Sequence, residues 1–120
     1  MGICRVVQPA IVRLPISAGD YLDVQQELNA GDYRDMILAL SEHQAFAKVL
    51  AYLLGWSFVG PDGQPLPYGL ELPLEVRRET VRSLDTDTAR ELVAAIDRHE
   101  AASDAAREEK KRIPAGGGAS

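Results

Sequence analysis

The chain has 120 residues, a formal charge of −5 and 46% hydrophobic residues. That length fits one domain with a modest core, and the composition is that of an ordinary globular protein. The acidic balance and the scattered arginines argue against a nucleic-acid binder, which needs a clustered positive face to neutralise phosphates.

One cysteine, Cys4, is present. A lone thiol forms no internal disulfide and no structural zinc site by itself, which suits a reducing cytoplasm. No signal peptide is visible at the start. The longest strongly apolar run, Val49 to Leu54, is far shorter than the roughly 20 residues that span a bilayer.

Residues 3–14 are rich in β-formers, among them Ile3, Val6, Ile11, Val12 and Leu14. Pro9 and Pro15 lack the N–H that a ladder needs, so this stretch predicts an edge strand or two short strands. Ala18-Gly19-Asp20 reads as a turn. Tyr21, Leu22 and Val24 then predict a second strand, running as far as Leu28. Asn29 or Asp32 can cap the helix that follows.

From Tyr33 to Leu54 the pattern turns helical. Met36, Ile37 and Leu40 are followed by Phe46, Val49, Leu50, Leu53 and Leu54 at helical spacing. Ser41 suits the start of a second half, so a break is expected near Leu40 to Glu42. Gly55 is expected to end this helix. Residues 56–69 are rich in proline and glycine, and Pro61-Asp62-Gly63 is a tight turn by residue type. Trp56, Phe58 and Tyr68 flank that turn, which predicts a structured loop or irregular hairpin. Pro73 opens a short helix to about Leu84. Asp85 then caps a last helix from Thr86 to about Arg107, with Leu92, Val93 and Ile96 on its apolar face. Residues 108–120 pass from mixed charge to a Gly-rich tract and are expected to be a flexible tail. The fold expected is α+β, with an N-terminal β-hairpin and a body of three to four helices in one domain, residues 1–107.

Catalytic chemistry finds little to work with. His43 and His99 lie on different predicted helices, and a hydrolytic metal site usually needs three or more converging ligands. Cys4 sits in an apolar stretch with no base beside it. Gly116-Gly117-Gly118 has no following helix and is no phosphate loop. The expectation is a protein without catalytic residues, metal or cofactor. The apolar helix end and the aromatic loop, namely Leu50, Leu53, Leu54, Trp56, Phe58 and Tyr68, either pack the helix against the loop or form a partner-docking patch.

Three segments resemble small proteins of siphophage tail gene clusters. They are YLDVQQELNAGDYRDM (21–36), AKVLAYLLGWSFVGPDGQPLP (47–67) and SLDTDTARELVAAIDRHEAA (83–102). An extended segment before a helix, a helix ending in tryptophan before a D-x-x-G-x-P turn, and a capped helix occur in the same order there. The family is the tail assembly chaperones encoded upstream of the tape measure protein. The resemblance implies a non-catalytic chaperone in the host cytoplasm whose partners are the tape measure protein and tail tube protein, with self-association left open and no role for nucleic acid or membrane. It also implies a second, longer form made by ribosomal frameshift, with Gly116–Gly118 or Lys110-Lys111 as slippage sites. The alternative is a structural virion protein of the tail or head–tail junction.

Overall fold

The computed structural model describes residues 5–43 and 46–119. In chain order the elements are β1 (Ile11–Pro15), β2 (Tyr21–Gln25), α1 (Ala30–His43), α2 (Phe46–Tyr52), β3 (Leu53–Trp56), α3 (Leu74–Arg82) and α4 (Thr86–Ala119). The α+β class read from the sequence is the one observed, with one strand more than the expected hairpin.

β1 and β2 pair antiparallel, with Val12 opposite Val24 and Leu14 opposite Leu22. A short 3-10 turn, Ser17–Gly19, joins them. Ala18 and Gly19 both take positive φ, 59° and 77°, and the Ile16 amide closes the loop on the Asp20 carbonyl at 2.9 Å. Alternation along β2 buries Leu22 and Val24 completely on one face. The opposite face carries charge. Arg13 donates to both carboxylate oxygens of Asp23, at 2.8 and 3.1 Å, and its guanidinium lies 3.7 Å above the Tyr21 ring.

Residues 53–56 depart from expectation. The helix expected to reach Leu54 stops at Tyr52, and Leu53-Leu54-Gly55-Trp56 is the third strand. It pairs antiparallel with β2, giving the order β1-β2-β3, with an irregularity between Asp23 and Val24. Gly55 is therefore a strand residue opposite Asp23, not a helix stop. The physical reason is that β2 would otherwise present an unpaired edge beside the core. Leu53 satisfies the same apolar position from a strand that it would fill from a helix. The Gln25 side-chain amide takes over the Ala51 carbonyl at 2.9 Å, which finishes α2 in place of a glycine cap.

α1 starts at Ala30, where the Asn29 side-chain oxygen accepts the Asp32 amide proton at 2.8 Å. The helix continues through the break expected near Leu40 to Glu42 and runs to His43. Between α1 and α2, Gln44 and Ala45 lie outside the described residues, as do Met1 to Cys4. The loop after β3 folds as its residue types require. The Gly63 amide bonds the Gly60 carbonyl at 2.9 Å, Gly63 takes φ 77°, and Val59 bridges Pro65.

Asp85 caps α4 through the amide and hydroxyl of Thr88, at 2.8 and 2.9 Å. Leu92, Ala95 and Ile96 face the core, where they meet Val81 and the sheet residues Leu22, Val24 and Leu53. α4 extends past the end expected near Arg107, its backbone helical to Ala119. Glu108 to Arg112 are all good helix formers, which accounts for the first part of the extension. Pro114 and the following glycines are poor ones.

Two carboxylates tie folding to pH. The Thr88 amide and hydroxyl hold Asp85 below its ordinary range, and the Ser17 hydroxyl and amide do the same for Glu91 across the fold. A depressed folded-state value stabilises the fold above the unfolded value and loses that contribution as pH falls through the folded one. The melting temperature is therefore expected to fall as pH drops below about 4. The double variant Asp85→Asn, Glu91→Gln should flatten that acid limb. An unchanged slope in thermal melts across pH would contradict the assignment.

Candidate interaction surface

The described residues hold no group of three or more histidine, cysteine, aspartate or glutamate side chains placed to bind a metal. His99 is structural: its Nε2 lies 2.8 Å from the Gln25 carbonyl and its ring meets Tyr52 edge-on at 5.6 Å. That contact, with Ser103 donating to the Gln26 carbonyl at 3.2 Å, pins α4 to the end of β2. The His43 side chain and Cys4 lie outside the described residues. No helix among the described residues is long and apolar enough to cross a membrane.

The six residues expected to form either core or docking patch divide toward the core. Leu53 is fully buried, and Leu50 and Phe58 nearly so. Leu54, Trp56 and Tyr68 are half-buried. Trp56 stacks obliquely between Phe58 and Tyr68, with ring centroids 4.9 and 4.8 Å away, and its indole N–H donates to the Leu66 carbonyl at 2.8 Å. Of the two roles open to these residues, packing the loop onto the body is the one this geometry serves. In this arrangement Leu50, Leu53 and Phe58 present almost no surface to a partner.

Exposed apolar surface collects elsewhere, on α1. Tyr33, Ile37, Leu38 and Leu40 are 54%, 44%, 64% and 37% exposed. Tyr33, Ile37 and Leu40 lie at i, i+4 and i+7, on the face adjoining buried Met36. Leu38 points away from them. The cause is visible in the packing: among the described residues α1 rests on α2, and α2 on α4, while α1 and α4 make at most marginal contact. One supporting helix buries one narrow stripe of α1 and leaves the flank open.

Two grooves run along α1. The smaller, about 220 Å³, lies toward α3 between Met36, Ala39, Leu70 and Leu74. The larger, about 690 Å³, lies between α1 and the far half of α4. Its α1 wall is Tyr33, Ile37 and Leu40, and Tyr52 and Lys48 sit deeper. Lys48 is held between Glu100 at 2.8 Å and Asp97 at 3.3 Å, and the bond to Glu100 raises its pKa. Burial pushes the Tyr52 phenol up to about 12, so it stays neutral at physiological pH.

Comparison with protein-family models, curated proteins and solved structures finds no match.

The α1 surface was missed in the sequence although its signal is there. Tyr33, Met36, Ile37, Leu38 and Leu40 crowd five apolar residues into eight positions, more than one face of a half-covered helix can bury. Completing the burial of each half-exposed side chain is worth about 1 kcal/mol, half or less of the full transfer value. Three together support a reversible, not a permanent, contact.

Proposed function

We propose that the protein is a non-catalytic tail assembly chaperone of a long-tailed bacterial virus, binding the tape measure protein and tail tube subunits in the host cytoplasm during tail morphogenesis. The observation that carries the reading is the exposed apolar stripe of α1 beside an open groove, on an acidic chain. The ordered resemblance of segments 21–36, 47–67 and 83–102 points the same way. A tape measure is a long helix with apolar stripes that would aggregate before its tube is built. A small acidic cover shields such stripes and keeps the complex soluble.

A second reading has its own support. β1 is an edge strand with Ile11 exposed, and an edge strand can pair with a neighbouring subunit's sheet, as a structural virion protein of the tail or head–tail junction would. Arg13 and Pro15 on that edge work against such pairing.

Mass spectrometry of infected cells and of purified virions separates the two. The chaperone reading expects the protein in the lysate and not in the particle, with a longer frameshifted form beside it. Recovery from virions in a fixed ratio to tail proteins would overturn it in favour of the second reading.

A further inference from the structure

We propose that β1 pairs antiparallel with β1 of a second copy about a two-fold axis at Val12, joining two three-stranded sheets into one of six strands. The inference goes beyond the chaperone reading and does not rest on it, because it concerns only how the chain meets itself.

The hydrogen-bond pattern is the first argument. Along a strand of an antiparallel pair, residues alternate between turning their backbone groups to the partner and turning them away. The Gln26 amide donates to the Ala10 carbonyl at one end of β1, and the Ile16 amide to the Asp20 carbonyl at the other, both at 2.9 Å. The register between them is unbroken, so Val12 and Leu14 also turn toward β2. Ile11, Arg13 and Pro15 therefore turn their backbone groups to the free edge, since β1 is the outer strand of the order β1-β2-β3. Pro9 falls at the next such position. Two prolines thus bracket two outward donors, the amides of Ile11 and Arg13.

Symmetry is the second argument, and it selects the occupant. Pro9 and Pro15 lie equally far from Val12, as do Ile11 and Arg13. When two copies of β1 run antiparallel about Val12, Ile11 of each faces Arg13 of the other, and each pair exchanges two backbone bonds. Pro9 and Pro15 face each other at both ends, where neither has an amide to lose and the strands part. A shift of two residues sets Pro9 against Arg13 or Pro15 against Ile11, and the latter shift also sets Arg13 against Arg13. An ordinary partner strand meets the missing donor of Pro15 and the charge of Arg13, which is how this edge resists general pairing. A second copy in the Val12 register avoids both.

The side chains agree with this register. On the outer face Arg13 is drawn back over its own sheet, bonded to both Asp23 oxygens and lying 3.7 Å above the Tyr21 ring. Its charge is answered within the copy that carries it, and its aliphatic stem is left to cover the exposed Ile11 of the other copy. On the core face Val12 meets Val12, and Leu14 meets Ala10. All three are half-buried, so the apolar face continues across the seam.

The test is sedimentation velocity on the full chain, from about 1 μM to about 1 mM, the span of weak reversible association. The dimer fraction should rise across that series. Ile11→Pro removes an amide that the ladder with β2 does not use. The variant should keep its circular dichroism spectrum and weaken dimerisation by at least about tenfold, because two of the four backbone bonds are lost. Oxidation of single-cysteine variants in a Cys4→Ser background reads the register. Val12→Cys lies on the axis in a non-hydrogen-bonded pair, with Cβ atoms about 4.5–5.5 Å apart, and should form a disulfide dimer. Ile11→Cys is the more exposed position, but it lies about 7–8 Å from its counterpart on a diagonal and should cross-link several-fold more slowly. Faster cross-linking of Ile11→Cys than of Val12→Cys would follow exposure alone and overturn the register. A wild-type chain that stays monomeric throughout the series would overturn the proposal. So would a dimer that Ile11→Pro leaves intact and Ile37→Asp dissociates, which would put the contact on α1.

Discussion

Trp56→Ala is expected to cost about 3 kcal/mol of unfolding free energy, at the lower end for truncating a large aromatic. The indole is half-buried, so part of its surface is already wet. What it holds is specific: it sits between Phe58 and Tyr68 at 4.9 and 4.8 Å and donates to the Leu66 carbonyl. Removing it takes away both ring contacts, each worth roughly 0.5–1.5 kcal/mol beyond area burial. It also unties residues 58–66 from the end of β3. Urea unfolding followed by circular dichroism measures the loss, and thermal melts should drop by roughly 10 °C. A change under about 1 kcal/mol, within the range of surface substitutions, would mean that the aromatic loop is not part of the folded body. Because α1 lies elsewhere, the variant should still bind whatever wild type binds at temperatures where it remains folded.

Leu53→Lys is expected to abolish folding, while Leu54→Lys is expected to cost no more than about 2 kcal/mol. Leu53 is fully buried and pairs with Val24 in the sheet, among Leu22, Leu92 and Ile96. An ammonium group there meets no partner carboxylate, and the penalty rivals the whole stability of a small domain, about 5–15 kcal/mol. Leu54 is half-buried and a lysine stem can lie along the surface with its charge in water. In a helix continuing from α2 the two leucines would share one apolar stripe and respond alike. Soluble expression and melts of the pair thus distinguish strand from helix, and similar damage from both would return residues 53–56 to the helix.

That strand marks where reading the sequence stops working. Asp85 was legible as a cap, and Asn29 as one of two candidates with Asp32, because a cap is a local event, settled by one side chain and an amide three residues on. Pro61-Asp62-Gly63 was legible for the same reason. Leu53 to Trp56 was not, because its identity as a strand depends on Leu22 to Val24, some thirty residues earlier, and an apolar run of that length suits helix and strand equally. The two roles of the aromatic loop stay open in the sequence for a related reason. Large aromatics beside prolines resemble a docking patch until the loop is seen to fold back and consume them. The apolar excess on α1 becomes informative only once α2 is known to be its main support among the described residues.

We propose that the chain shields a tape measure protein through α1. It is tested most directly by co-expressing that protein with wild-type chain and with Ile37→Asp, an exposed position whose change should leave the fold intact. Wild type is expected to move the tape measure into the soluble fraction and to co-purify with it, and Ile37→Asp, folded by circular dichroism, to do neither. A tape measure equally soluble or insoluble with and without wild-type chain would contradict it.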